Sequence, residues 1–271
     1  MRGSSRAALA TMEDAFGSAL TPGADLGRLA EDLFAVVGVI DGNATLRRAL
    51  TDPSREPATK RGLVTSLFGG KIGASAVSLV AAAAGQRWAA ERDFGDTLEG
   101  LAVQSVLAQA ERAGHIDEVE DQLFRFERIV AGDAGLRDTL SSRNTDTSGK
   151  AGLVHTLLDG RAFPETIRLA VQAVSVPRGR RLDRIHEEYL RLATRRRDEL
   201  AALVQVARPL TDQQTARLQT RLESIYGKSV KLQVVIDPEV LGGIRVQVGD
   251  DVVDGTVSRR LDEARRHVTG G

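Results

Sequence analysis

The 271-residue chain carries 37 basic and 37 acidic side chains, so no whole-molecule field steers it toward nucleic acid or an anionic lipid surface. It contains no cysteine, which excludes a disulfide framework, a thiolate metal site and a cysteine nucleophile. Apolar residues make up 42% and aromatic ones only 4%, a balance that favours helices packed through aliphatic and small side chains, in one large domain or two to three small ones. The opening Met-Arg-Gly-Ser-Ser-Arg lacks the apolar run of a signal peptide. The most apolar window, residues 74–84, is well short of the roughly 20 residues that span a bilayer. A soluble protein that meets a membrane only through partners is expected.

In chain order, apolar residues recur at helical spacing over 26–39, with Asp41-Gly42-Asn43 as a stop. A short helix over 44–50 ends near Pro53, and helices over 56–68 and 74–84 are closed by Gly69-Gly70 and Gly85. Residues 93–112 hold no strong breaker except Gly95 and Gly100 and read as one long helix. Further helices are predicted over 118–130, 134–140, 148–158 and 164–174, the last with Pro164 suited to a first turn.

The second group repeats the first. Displaced by 90 residues, 33–79 aligns without a gap on 123–169, and 14 of the 47 pairs are identical, among them Phe34/Phe124, Gly42/Gly132, Arg47/Arg137, Lys60/Lys150 and Gly70/Gly160. Composition alone would give roughly four, so the chain contains a duplicated helical unit.

Chemistry-bearing motifs are weak. Gly227-Lys228-Ser229 has Leu222 where a phosphate loop needs its first glycine, and it follows a helix, not a strand; Gly69-Gly70-Lys71 is followed by Ile72. His115, His155, His186 and His267 are scattered without a second histidine at helical spacing, so surface or capping roles are expected. Asp117, Glu118, Glu120 and Asp121 suit the start of a helix, where negative charge meets the dipole. Arg178, Arg180, Arg181, Arg184, Arg191, Arg195, Arg196 and Arg197 form the strongest charge feature, but Asp183, Glu187, Glu188, Asp198 and Glu199 interrupt it and aromatics are absent apart from Tyr189. That pattern predicts a solvated helix laced with ion pairs rather than a nucleic-acid surface. No catalytic residue, metal ligand or cofactor site is predicted.

The C-terminal residues 230–261 are the most informative. Val230, Leu232, Val234 and Ile236 alternate as in a half-buried strand, and Asp237-Pro238 stops it. Gly242-Gly243 marks a sharp turn, Ile244, Val246 and Val248 form a second strand, and Gly249-Asp250-Asp251 turns into Val252-Val253. Asp254-Gly255-Thr256 then opens a helix carrying Val257 and Leu261. This segment resembles the signature of the delta subunits of F-type ATP synthases, the bacterial counterparts of the oligomycin-sensitivity-conferring protein. The matching positions are Val230, Leu232, Ile236-Asp237, Val240, Gly242-Gly243-Ile244, Val246-Gln247, Gly249, Asp254-Gly255-Thr256-Val257 and Arg260-Leu261.

The resemblance covers about residue 98 onward, and the first hundred residues then look like an extra copy of the family's six-helix bundle. The expected fold is mainly α with a small α+β C-terminal part: tandem bundles over 1–97 and 98–198, then a few-stranded sheet with flanking helices over 199–271. It implies a non-catalytic connector of the peripheral stalk, attached to the cytoplasmic face of the cell membrane through its partners. The alpha subunits of the catalytic head would be gripped by a bundle face bearing Val103, Val106, Leu107, Ile167, Ala170 and Val174. The b subunits would be met by Val240, Gly242, Gly243, Ile244, Val246, Val257 and Leu261. Two rivals remain: a generic helical-repeat adaptor that makes no use of the strand unit, and an RNA-binding regulator using the arginine run.

Overall fold

The computed structural model describes residues 3–142, 144–227, 229–237, 240, 243–248 and 251–254. The chain divides into two compact units, Met1–Thr194 and Arg195–Gly271.

The first unit is helical. Its elements are α1 (Gly3–Ala19), α2 (Leu26–Gly42), α3 (Ala44–Thr51), α4 (Pro57–Phe68), α5 (Ala74–Gly85), α6 (Glu91–Arg112), α7 (Ile116–Gly132), α8 (Ala134–Ser141), α9 (Thr147–Leu158), α10 (Pro164–Ser175) and the greater part of α11 (Leu182–Asp198). Helices α7 to α10 begin and end 90 residues after α2 to α5, so the sequence repeat is also a repeat of structure. The punctuation repeats with it. Asn43 stops α2 in an extended conformation and caps α3, its Oδ1 accepting the Leu46 N–H at 2.9 Å. Asp133 does the same for α7 and α8, accepting from Leu136 at 2.9 Å. Because the stop is at Asn43, α2 runs to Gly42 rather than ending before Asp41. Gly70 and Gly160, at φ 74 and 72, turn the chain after α4 and α9 where a side chain would be strained.

Helix α6 is continuous, as its lack of strong breakers predicts, and the expected repeat boundary near residue 97 falls inside it. Phe94, Leu98, Leu101, Ala102, Val103, Leu107 and Ala110 on this one helix are all fully buried. No single stripe carries them, because α6 is the last helix of one repeat and the first of the next, and one core runs through both.

The second unit contains β1 (Glu199–Val206), α12 (Asp212–Tyr226), β2 (Ser229–Ile236), β3 (Ile244–Val248) and β4 (Asp251–Asp254). The sheet order is β2-β1-β3-β4. β1 and β2 are parallel and joined through α12, whereas β1 with β3 and β3 with β4 are antiparallel. Thr211 and Gln214 form a capping box at the start of α12, and Gly227, at φ 66, ends it. Gly227 therefore serves as a helix cap, in keeping with the rejection of a phosphate loop there. Ala202, Val204, Val206, Leu222, Val230, Val246 and Val248 form the core. The sequence reading gives no strand at β1. Its Glu-Leu-Ala-Ala-Leu start is made of good helix formers, and pairing on both sides overrides that preference. The helix expected to carry Val257 and Leu261 lies outside the described residues.

Candidate docking surfaces

In the first unit, α2 lies antiparallel along α6 and also meets α10. At one end of the pair, Arg112 donates to the Ala24 and Thr21 carbonyls at 2.8 and 3.0 Å. Close by, a Cβ on Gly27 would stand 2.9 Å from Gln109 Oε1, so small size lets the backbone approach α6. On the flank toward α10, the Arg168 guanidinium pairs with the Glu31 carboxylate, Nη2 to Oε2 at 3.0 Å. It also lies 4.4 Å from the centroid of the Phe34 ring.

At the other end of the pair, Arg178 is the hub of an ion cluster. Its side chain is 6% exposed and reaches Asp41 of α2 through two nitrogens and Asp96 and Glu99 of α6 at 2.7 Å each. Arg180 adds a 2.5 Å contact to Glu99, and the Tyr189 hydroxyl donates to the same carboxylate at 3.3 Å. Burial disfavours the Arg178 charge, but its carboxylate partners more than offset that and hold its pKa above the ordinary value. Burial raises the Asp96 pKa despite Arg178. Arg178 also sits at φ 51, a left-handed conformation that a side chain adopts at a cost. The solvated-helix reading therefore holds for Arg181, Arg184 and Arg191, which make exposed pairs, but not for Arg178, which is buried in the joint between helices.

The residues expected to face the head are set deep in this unit. Val103, Leu107 and Ala170 are fully buried, Val174 and Val106 are 1% and 3% exposed, and Ile167 is half-buried against the core. α2 packs along α6 and meets α10 through Arg168, so part of this surface is taken by the chain's own helix. The repeat-related surface on α1 and α5 carries Ala15, Ala19, Val77, Ala81 and Ala82, all half-buried. The sequence reading did not single these out, although displacement by 90 residues relates Val77 to Ile167 and Ala81 and Ala82 to Val171 and Gln172.

The histidines differ from one another. His155 is exposed and pairs with Asp159, while His115 bonds Glu165 at 3.1 Å and stacks on Phe163. His186 departs from the surface expectation: it is 4% exposed, set edge-on to Phe126, and burial pushes its pKa down to about 4. Among the described residues no cluster of side chains is arranged to hold a metal ion.

In the second unit, Val240 and Val246 are buried, Ile244 is half-buried and Gly243 turns at φ 88. Gly242, Val257 and Leu261 lie outside the described residues. Among the described residues the exposed large apolar side chains are instead on β2, where Val234, Val235 and Ile236 are 39%, 45% and 55% exposed, on β4 at Val252 and on α12 at Ile225. β2 is an edge strand among the described residues, which leaves one row of its backbone groups without a strand partner. Its start packs on the core through Val230 and Leu232, and only its end, at Val234 to Ile236, is exposed on both faces. Alternation assigned Val234 and Ile236 to a half-buried face, but position at the sheet edge decides their exposure.

The described residues thus combine a helical repeat unit with, later in the sequence, a small βαβ-containing sheet. Residues 103–268 match the model of the ATP synthase delta (OSCP) subunit family. The chain is 47% identical to ATP synthase subunit delta of Kineococcus radiotolerans over 269 residues, covering 99% of this chain and 98% of that protein. It is 42% identical to ATP synthase subunit delta of Streptomyces griseus over 272 residues, covering the whole of both. The chain belongs to the ATP synthase delta (OSCP) family, whose members are non-catalytic subunits of the F-type ATP synthase. The first repeat lies mostly before the family match but within both end-to-end alignments, so these relatives have a corresponding segment.

Proposed function

We propose that the chain is the connector of the peripheral stalk, joining the catalytic head of the synthase to the b subunits at the cytoplasmic face of the cell membrane. The first unit holds N-terminal segments of the alpha subunits, and the second holds the end of b, so that the head stays still while the rotor turns. The observation that carries this reading is that each of the two compact units has apolar surface of its own: the α1 and α5 face in one, the β2 edge in the other. Two independent surfaces suit a two-ended tether, and extended apolar contacts favour slow dissociation.

For the head, α1 and α5 offer the better seat. Val103, Val106, Leu107, Ile167, Ala170 and Val174 lie on the equivalent helices of the second repeat, α6 and α10, and are buried or half-buried there, where α2 packs along α6. For b, the β2 edge with Val234, Val235 and Ile236 joins the segment around Val240, Gly242, Gly243, Ile244 and Val246, with Val257 and Leu261 following in sequence. Attachment to the membrane runs through b, since no helix among the described residues is long and apolar enough to cross a bilayer. A generic adaptor would leave the strand unit idle, yet the family match extends through it. RNA binding through the arginine run is disfavoured by the engagement of Arg178 and Arg180 in internal ion pairs.

The test is recovery of synthase subunits from membranes by the tagged full chain, compared with Val235→Glu and Ala81→Glu variants. The wild-type chain is expected to bring both alpha and b, the first variant to lose b alone, and the second to lose alpha alone. Recovery of neither subunit by the wild-type chain would overturn the proposal.

A further inference from the structure

The repeat leaves one half of an internal interface without its other half. On α2 the surface that meets α10 is an acid and a phenylalanine one turn apart, Glu31 and Phe34, and Arg168 covers both, leaving Phe34 7% exposed. The equivalent positions on α7, 90 residues later, are Asp121 and Phe124, again an acid and a phenylalanine. Phe124 is 51% exposed. Asp121 pairs with Arg125 at 2.8 Å, but both side chains are at least half exposed, an arrangement that exchanges readily with solvent or another cation. Asp117, Glu118, Arg128 and Ala131 extend the open surface along the helix. In stacked repeats a terminal unit normally presents a polar outer face; α7 presents a ring.

We propose that this face of α7 docks a helix of another protein, which lays an arginine across Asp121 and Phe124 as α10 lays Arg168 across Glu31 and Phe34. The occupant is an arginine-bearing helix, because exposed Asp121 one turn before the ring and Asp117 two turns before it on the same face favour a cation that spreads its charge over an aromatic face. Exposed Arg128, one turn after the ring, matches an acidic group on the same partner helix. A second copy of this chain does not fit. In its first repeat the position of Arg168 is taken by Ser78, and its own Arg168 is already engaged.

The experiment replaces Phe124 by p-benzoylphenylalanine in the full chain, irradiates intact cells and identifies the cross-linked peptide by mass spectrometry. The position is exposed, and an unchanged urea midpoint confirms that the fold is intact. The expected product joins residue 124 to a helical segment of another protein with an arginine within one turn of the attachment point. Asp121→Arg should lower its yield at least about tenfold, and changing that arginine to glutamate in the Asp121→Arg background should restore it. Absence of a cross-link, attachment to a segment without arginine, or indifference to Asp121→Arg would each overturn the proposal. The inference takes the proposed tether as its setting but fails separately from it. Recovery of alpha and b without a product at residue 124 removes the α7 site alone, and irradiating whole cells tests that site whether or not the synthase subunits are recovered.

Discussion

Replacing Arg178 tests whether the Asp41 end of the α2 and α6 pair is clamped as the geometry indicates. The Arg178→Ala variant deletes a side chain that is 6% exposed and leaves three carboxylates behind. Removing one partner of a buried ion pair costs about 3–5 kcal/mol when the remaining charge has no alternative. Here alternatives exist. Glu99 keeps Arg180 at 2.5 Å, Asp96 keeps Arg92 at 3.4 Å, and Asp41 is 31% exposed and regains water. The expected loss therefore falls at the low end, about 3 kcal/mol. The backbone adds a second, sharper criterion. At φ 51 any residue other than glycine carries a left-handed cost of roughly 1–2 kcal/mol, larger than the extra chain entropy of about 0.5–1 kcal/mol that glycine loses on folding. Arg178→Gly should therefore be less destabilised than Arg178→Ala, by up to about 1 kcal/mol. Urea unfolding followed by the fluorescence of Trp88 reads this directly. It is the sole tryptophan, buried, bonded to the Ala83 carbonyl at 2.9 Å and set edge-on to Phe94 of α6. An alanine variant within about 1 kcal/mol of wild type, or a glycine variant below the alanine one, would refute the reasoning.

Two further outcomes follow from the same unit. His186 is held neutral by burial, with its pKa near 4, whereas the unfolded chain takes up a proton below about pH 6.5. Stability should therefore fall as pH drops from about 6.5 to 4, by about 3 kcal/mol for this group, and level off below. His186→Phe removes the titrating ring and its Nε2, which has no hydrogen-bond partner, so the difference between wild-type and variant profiles should trace that window; parallel profiles would exclude His186 as the source. Arg168→Ala removes both the Glu31 pair and the cover over Phe34, and should lower unfolding free energy by about 1–2 kcal/mol. An unchanged urea midpoint would mean that Arg168 contributes nothing to holding α2.

The sequence revealed the helices and their repetition because glycines and caps recur at a fixed spacing and apolar positions recur at helical period. Asn43 and Asp133 mark the same stop twice with different residues, a pattern carried by side-chain chemistry at a constant offset along the chain. It could not reveal which side of α2 faces outward from its own repeat. Phe34 and Phe124 are identical in type and in register, yet one is covered and the other open, because exposure depends on whether a further repeat follows. The positions expected to face the head illustrate the same limit. Apolar residues on several sides of α6 and α10 signal more than one contact, and nothing in their spacing tells whether the extra contact is a partner or the chain itself. Arg178 looked like one charge in a solvated run. Its role depends on Asp41, Asp96 and Glu99, which are 79 to 137 residues away along the chain. β1 was illegible for the opposite reason, since its local preference is helical and only its two sheet neighbours make it a strand.

Sharing α6 gives the duplication a mechanical consequence. Two bundles joined by a linker would hinge at the linker, but here the helix that ends one repeat begins the next, and its buried residues belong to a single core. Sliding of α2 along α6 is opposed at both ends, by Arg112 on the Thr21 and Ala24 carbonyls and by Arg178 between Asp41 and Asp96. Side-to-side rocking is opposed by Arg168 on Glu31 and Phe34. A tether that resists torque needs this kind of joint, since compliance within it would let the head follow the rotor before any load reached the stalk. In the proposed role, the first repeat gives up the groove of the second to make a stiff splice and offers its own groove, on α1 and α5, one repeat further from the strand unit in sequence. Stiffness of the splice and availability of the groove are thus two sides of one packing choice, and a variant that loosens α2 should weaken retention of the head even when the α1 and α5 surface is untouched.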